Sequence, residues 1–494
     1  MSGGRDIAEV LSGNTDLNAP ALHFTADGRT GARVSRADLF AAINAAAARV
    51  EHGPVAPGGV IAICGANAPE HFTATLGVAR AGRIAAPMNV KLPPADQAAL
   101  IEQIGAAEVW ADAFSRSALA DTLDPKPLAT PLRGFADAGH GPVASGDQIA
   151  LLMFTSGSTG LPKGVPITHG AYRWAFERFQ VLRPVIEGRR CLVAAPIFHM
   201  NGQFHLLNIL ACGGEVVLMA RFDPDRFLDA VDAFDVRRVT GVPPMMARCL
   251  QVARERRFAN VETVALGSAP LSPGLSARIA DLFPNAVVTN GYGTTETGPV
   301  SFGAHPDGLP TPPGALGRPM PGVELKLMGG EGPDEGVLHL RSPMTARGYW
   351  RREAGGKFDS AGWCDTGDVM RRDADGFYFF EGRADDMFVT NGENVYPGPI
   401  ERALEAHPSV SQAVVLPVAD DAHGAAPMAL AVAAGAPPSE AELQAFVLEQ
   451  VAAYAHPRRI FFVESLPVSG PNKIDRRAAA GLLQEHLRRE GETA

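Results

Sequence analysis

The sequence predicts an α/β protein: a large N-terminal domain of parallel α/β layers, followed by a small α+β domain from about residue 385 onward. Three observations predict it. Short apolar runs alternate with helical patterns at the spacing of strand–helix–strand units, which argues for parallel sheets. Proline and glycine then dominate Gly303 to Gly322, and the runs that follow ("VELKLM", "GVLHLR", "GFYFFEG") read as short antiparallel strands. After "EGRADDMF" the pattern shifts again, to a compact α+β tail of about 110 residues.

In chain order, Ser35 and Asp38 have capping-box spacing ahead of "LFAAINAAAARV", whose Leu39, Phe40 and Ile43 share one helical face. "VIAIC" at 60–64 predicts a buried strand, Pro69 to Gly82 a helix, and "IAAPMN" at 84–89 a second strand. The alternation recurs as strand "CLVAAPIF", helix "FHLLNILACGG", strand "EVVLMA", helix "PDRFLDAVDAFD" and strand "RRVTGV". In the tail, "PIERALEAHP" is a helix with proline near its first turn, and "SQAVVLPVAD" is a strand. No fixed-period repeat is visible.

The chain has 494 residues, 46% of them hydrophobic and 20% charged, enough for two to four domains of roughly 100–200 residues. Gly 53 and Pro 40 together stay below the roughly 25–30% that marks disorder. Net charge is −10 with no basic block, which gives a nucleic-acid role little support. The opening "MSGGRDIAEVLSGN" has no apolar signal-peptide core, and runs such as "LVAAPIF" fall far short of the roughly 20 residues that span a bilayer. Cys64, Cys191, Cys212, Cys249 and Cys364 are scattered without CxxC spacing, so they read as reduced and mostly buried, with no zinc site. The expectation is a cytoplasmic protein without a membrane span.

"FTSGSTGLPKGVPITHG", Phe154 to Gly170, carries the first chemistry. It is not a Walker A motif, because Lys163 stands between Pro162 and Gly164. Gly157, Gly160 and Gly164 leave backbone N–H groups open. The hydroxyls of Thr155, Ser156, Ser158 and Thr159, with the Lys163 cation, suit phosphate oxygens.

Seven further motifs follow: "PIFHMNG" (196–202), "LGSAPLS" (266–272), "NGYGTTETG" (290–298), "GALGRPMPGVELKL" (314–327), "WCDTGD" (363–368), "EGRADDMFVTNGENVYPGPIE" (381–401) and "VSGPNKIDRR" (468–477). With the Gly/Ser/Thr loop, their order over nearly the full length resembles the adenylate-forming family. That family holds acyl-CoA synthetases, aryl-CoA ligases, luciferases and stand-alone amino-acid adenylation domains. The resemblance implies a small β-barrel-like part within the N-terminal domain (residues 1–384) and a mobile C-terminal domain (385–494). It also implies a reaction in two halves. A carboxylate attacks the α-phosphate of ATP in the presence of Mg²⁺, giving acyl-adenylate and pyrophosphate; a thiol, CoA by preference, then displaces AMP.

By that resemblance the loop Thr155, Ser156, Gly157, Ser158, Thr159, Gly160 and Lys163 holds the β- and γ-phosphates. Gly267, Ser268 and Ala269 approach the adenine with their backbone. In Asn290, Gly291, Tyr292, Gly293, Thr294, Thr295 and Glu296, Tyr292 lies against the ring, Thr295 bonds the α-phosphate and Glu296 binds Mg²⁺ with a hard carboxylate oxygen. Asp368 accepts from the ribose hydroxyls and Arg383 donates to ribose or phosphate; the plain alternative for both is a surface ion pair. Lys473 bridges the substrate carboxylate and the α-phosphate, and His199 gates the acyl pocket, for which Met200, Asn201, Gly202, Val242, Met245 and Gly291 are candidates. Asp385 is the hinge between half-reactions, and the segment around Gly392 lines the pantetheine tunnel.

Three positions depart from the family pattern. Asn472 replaces the glycine that usually precedes the lysine, Ala455 stands where a lysine associated with the CoA nucleotide is usual, and Ala425 where glutamate is common. No aspartate within "PIFHMNG" could pair with an amino-acid ammonium, so a non-amino acid is expected: aryl, short-chain or medium-chain. The second reading is transfer to the pantetheine of an acyl carrier protein. A third, of a different class, is a nucleotide-binding protein without catalysis, against which intact Glu296, Asp368, Arg383 and Lys473 argue. Oligomeric state is not legible.

Overall fold

The computed structural model describes residues 6–11, 16–128, 146–155, 161–330, 332–353, 356–420, 424–469 and 473–491. Two parallel layers dominate. One sheet runs, edge to edge, through Val287–Gly291, Thr263–Gly267, Arg238–Gly241, Arg190–Val193, Glu215–Met219, Pro20–Thr25 and Ala32–Ser35, parallel except for its last pair. The other runs Lys126–Pro127, Ala106–Ala111, Val60–Cys64, Ile84–Met88, Ile149–Thr155 and Lys163–Thr168, again with only the last pair antiparallel.

Helices Arg36–Glu51 and Pro69–Arg80 lie between the sheets, each against one of them and both against each other. Every residue of Pro69–Arg80 except Glu70 is buried, as a helix covered on all sides requires. Gly77 permits the close crossing: a Cβ there would stand 2.4 Å from the Ala46 methyl. Ser35 caps the first helix as its spacing predicts, accepting from the Asp38 N–H at 3.0 Å and donating to its carboxylate at 2.7 Å. A buried ion pair, Arg80 to Asp6 at 3.0 Å, closes the layer.

The third layer is a six-stranded antiparallel sheet, Phe302–Gly303, Ala315–Pro319, Tyr378–Arg383, Cys364–Arg372, Glu335–Arg341 and Glu324–Gly329, with the first and last of these at its edges. The 3₁₀ turn Ala384–Asp386 leads out of it. Beyond lie the hairpin Phe388–Thr390/Glu393–Val395, the three-stranded sheet Val410–Asp420, Gly424–Ala433, Arg459–Phe462, and helices Pro397–Glu405, Glu440–Leu448 and Arg476–Gly491. These elements bury their own apolar clusters, centred on Leu404, Val415 and Leu443 and on Leu430 and Leu483.

Boundaries differ from the sequence expectation where proline intervenes. "CLVAAPIF" is strand only over Arg190–Val193, because the chain turns at Pro196, whose carbonyl accepts from the His199 N–H at 3.1 Å. All five cysteines are buried and free. Among the described residues no helix is long and apolar enough to cross a membrane.

Candidate active site

The cleft opens at the carboxyl ends of strands Thr263–Gly267 and Val287–Gly291, the place where open α/β sheets receive ligands. At about 2560 Å³ it exceeds the roughly 300–1,000 Å³ of a single small-molecule pocket, leaving room for a nucleotide and an acid together. Its walls come from both parallel strands, the antiparallel sheet and the C-terminal part, where Glu401, Ile474 and Arg476 face it.

Backbone shape prepares the nucleotide wall. Ser268 adopts φ of 66°, a left-handed conformation that non-glycine residues keep only where the surroundings hold them. Here Asn201 Nδ2 reaches its hydroxyl at 3.3 Å, and Asn290 Nδ2 bonds the Ala269 carbonyl at 3.2 Å. Gly267 faces Gly291 across the strand ends. Gly293 is required by the tight turn that follows, since a Cβ there would stand 2.3 Å from the Gly298 carbonyl. Thr294 and Thr297 bond side chain to side chain at 3.0 Å in that turn, which turns Thr295 and Glu296 to the cleft.

Asp368 and Arg383 are direct cross-strand partners, so their meeting is built into the sheet register. Asp368 is 6% exposed; one oxygen accepts from Arg383 Nη1 at 2.9 Å and the other from the Tyr292 hydroxyl. Arg383 also donates to the Thr366 carbonyl at 2.8 Å and to Asp385 at 3.1 Å. Burial, then the Asp368 charge, pushes the Tyr292 phenol well above its ordinary value, so it stays a donor. Tyr292 also meets Phe302 edge-on at 5.7 Å. Both the ion pair and the hydroxyl bond occupy oxygens assigned to ribose, but a carboxylate has about four lone-pair sites and keeps some free.

Glu296 is 5% exposed; its Oε1 accepts from the Tyr349 hydroxyl at 2.8 Å and lies 3.5 Å from Lys357 Nζ. Lys163 Nζ stands 4.8 Å from the centre of the ring of Tyr349, the residue whose hydroxyl bonds this carboxylate. Among the described residues no group of three His, Cys, Asp or Glu side chains gathers for a metal. A single cleft-facing carboxylate fits Mg²⁺, which keeps waters and takes one or two carboxylates plus substrate phosphates. Tyr349 and Lys357 escaped sequence reasoning because they lie 53 residues and more beyond Glu296, outside every motif.

Thr155 and Lys163 pair across an antiparallel ladder, so the motif's flanks are neighbouring strands, Ile149–Thr155 and Lys163–Thr168. Ser156, Gly157, Ser158, Thr159 and Gly160 lie outside the described residues. Lys473 begins the short strand Lys473–Ile474, paired to Ser469; Ile474 and Arg476 beyond it line the cleft. Asn391 and Gly392 form a two-residue hairpin with φ of 55° and 83°, as Asn-Gly does in a type I′ turn. Gly392 is not among the residues lining the cleft.

His199, Met200, Asn201 and Gly291 do line it. His199 stands at the N-cap position of helix Met200–Ala211, edge-on to Phe198 at 4.6 Å. Three acyl-pocket candidates are corrected. Gly202 is buried inside that helix with the Pro196 carbonyl 2.4 Å from where its Cβ would be, so enlarging it would strike backbone rather than narrow the pocket. Val242 and Met245 are 1% exposed, belong to the buried cluster that includes Phe258 and Phe283, and are not among the residues lining the cleft. Phe179 and Phe204, with ring centroids 5.0 Å apart, line the cleft, as do His205 and Arg238.

Helix Pro397–Glu405 seats the C-terminal part on the rest. Arg402 donates to the Phe380 carbonyl at 2.9 Å and to Glu381 at 2.7 Å, and Arg476 bridges Glu401 at 2.5 Å and Asp386 at 3.2 Å. Glu405 meets the helix Pro273–Leu282, and burial pushes its carboxyl up to about 7 against the opposing pull of Ser272, the Ala413 N–H and Arg278.

The class that this fold and cleft define is borne out by comparison. The chain belongs to the AMP-binding enzyme family, whose model matches residues 12–350, with the AMP-binding enzyme C-terminal domain matching 399–473. A feruloyl-CoA synthase of an Amycolatopsis species is 31% identical over 92% of this chain and 94% of its own length. A 2-succinylbenzoate–CoA ligase of Geobacillus kaustophilus is 33% identical over 68% of this chain and 70% of its own. The o-succinylbenzoate CoA synthetase of Bacillus subtilis, 26% identical, superimposes with a TM-score of 0.80 over 96% of this chain and 97% of its own. That enzyme has been seen with its acyl-adenylate intermediate and with ATP and magnesium.

Proposed function

We propose that the protein is an AMP-forming carboxylic acid–CoA ligase of the cytoplasm. One observation carries the reading: Asp368, Arg383 and Glu296 face the same cleft as an aromatic-walled pocket, so a nucleotide and an acid would meet there. In the first half-reaction a carboxylate oxygen bonds the α-phosphorus of ATP and the bond to pyrophosphate breaks. In the second, the thiol sulfur bonds the acyl carbon, AMP leaves and the thiol proton is released.

Asp368 would take the ribose hydroxyls by sharing the oxygens now held by Tyr292 and Arg383. Tyr292, Ser268 and Ala269 would flank the adenine, and Thr295 would donate to the α-phosphate. Glu296 would hold Mg²⁺, with Tyr349 orienting it; the ion when bound offsets phosphate charge. Lys473 would stabilise charge where the two anions meet, and His199 would gate the acyl pocket. The domains would divide as 1–384 and 385–494, with Asp385 as hinge and the Gly392 hairpin entering for the thiol step.

Ala455, 9% exposed in the small core, offers no cation to a CoA nucleotide. That observation supports pantetheine on a carrier protein as the second reading for the thiol. The test is a carboxylic-acid panel scored by pyrophosphate release, with CoA or a carrier protein added or withheld. Acid-dependent release sustained only with CoA is expected. A folded, ATP-binding protein that releases none with any acid would overturn the ligase reading.

A further inference from the structure

The wall of the cleft holds a buried cation that has no counter-charge among the described residues. Arg238 opens the strand Arg238–Gly241, is 5% exposed, and lines the cavity. Its Nε has no hydrogen-bond partner, and among the described residues no carboxylate pairs with it. The other buried arginines are all satisfied. Arg36 donates to the Leu210 and Gly214 carbonyls, Arg80 to Asp6, and Arg83 to the Val55 and Ala81 carbonyls. The groups that feel the Arg238 charge are the thiols of Cys191 and Cys212. Burial pushes these up to about 12 and about 11, so both stay neutral. His205, on the same wall, is pushed down to about 3 by burial and then by Arg238, and is neutral too.

A guanidinium stripped of water and left unpaired is costly. Such a group is tolerated where a ligand completes it. We infer that Arg238 receives a second carboxylate at the far end of the acid substrate, with the His205 imidazole beside it, so the substrate is a dicarboxylic acid. The inference rests on the ligase reading and names its substrate class.

The strand register sets the length. Arg238 pairs with Thr263, and Gly267, at the reacting end, lies four residues further, about 13 Å at ~3.3 Å per residue. The reach of an arginine side chain shortens that span. What remains takes a spacer of aromatic-ring size and exceeds the single methylene of a malonate, and Phe179, Leu182 and Phe204 line the same cavity.

The experiment compares hydrocinnamate with its para-carboxy derivative on wild type, Arg238→Met and Arg238→Lys. Wild type is expected to favour the diacid in kcat/KM by about ten- to a hundredfold, the worth of a charge-assisted bond in a buried site. Arg238→Met should lower that ratio by the same factor, and Arg238→Lys should keep part of it. Because an unpaired buried charge is lost, Arg238→Met should melt no lower than wild type. A diacid-to-monoacid ratio unchanged in Arg238→Met overturns the inference. Calorimetric binding of the diacid decides the matter without turnover: at least about tenfold tighter binding to wild type supports it, and equal binding overturns it. Arg238-dependent binding without pyrophosphate release from any acid would sink the ligase reading alone.

Discussion

At the nucleotide end of the cleft, Asp368 and Glu296 are each held by protein partners, Tyr292 and Arg383 for one, Tyr349 and Lys357 for the other. Arg238, on the wall of the same cleft, has no carboxylate partner among the described residues, and its Nε makes no hydrogen bond there. The difference separates two ways of preparing a site. Paired carboxylates are pre-oriented and can share partners with a ligand at little cost in reorganisation. An unpaired cation waits in an apolar wall and gains most from the ligand that completes it.

The largest effect expected lies outside either pairing, on the strand that the C-terminal domain brings to the cleft. Lys473→Ala should slow adenylate formation by roughly 10³, the upper end for one preorganised stabiliser of developing charge, while thioester formation from supplied acyl-adenylate largely survives. Equal loss in both half-reactions would show that Lys473 is not specific to adenylation. Next comes the paired end. Asp368→Ala takes that acceptor from the Tyr292 hydroxyl, leaves Arg383 with only the Thr366 carbonyl and Asp385, and should lower kcat/KM for ATP by about 10². A tenfold change or less, measured by pyrophosphate release, would mean that pairing there is structural only. Glu296→Gln keeps a bond from Tyr349 but leaves Lys357 without its counter-charge, and should raise the magnesium requirement at least about tenfold. An unaltered magnesium titration would point to another ligand.

At the reacting end, beside Gly267, Gly291 has open space, its Cβ position meeting only the Leu266 carbonyl at 3.7 Å. Gly291→Leu should therefore shorten the longest accepted acid and shift preference between neighbouring chain lengths by about tenfold. An unchanged acid profile in a folded variant would place the pocket elsewhere. The smallest effect concerns stability at the domain junction. Glu405 has a folded value of about 7 against an ordinary 4.5. The native state thus binds the extra proton, and this contribution, present below about 4.5, is lost as pH rises through about 7. Glu405→Gln removes that dependence. It should gain on the order of 1 kcal/mol at pH 8, roughly 2–4 °C in melting temperature, and little at pH 5. A variant that melts in parallel with wild type at both pH values would remove Glu405 from the account.

Much of the fold was legible. "VIAIC" is a strand at its expected bounds, Ser35 caps its helix as spacing requires, and the nucleotide motifs gather in one cleft. Strand Lys163–Thr168 was missed because Pro166 argues against a strand, yet it is an edge strand, where a missing N–H costs no ladder bond. The acyl pocket was the least legible. Val242 and Met245 lie beside the wall residues Pro243 and Pro244 but belong to the buried core, while Arg238 and His205 line the cavity from positions outside every motif. Which face a side chain takes depends on partners far away in sequence, and spacing alone does not carry that. The phosphate loop's residues 156–160, legible as a motif, lie outside the described residues.

The buried cysteines bear on chemical safety. A mixed anhydride of acid and AMP is an acylating agent toward any sulfur anion within reach, and the thiolate, not the thiol, is the nucleophile. Cys364 lies close enough to Glu296 to feel its charge, yet burial and then that carboxylate hold its thiol at about 12. Cys64 and Cys191 are likewise held at about 12, and Cys212 at about 11. An enzyme built this way leaves the incoming thiol without an internal competitor, and is spared from labelling itself with its own intermediate.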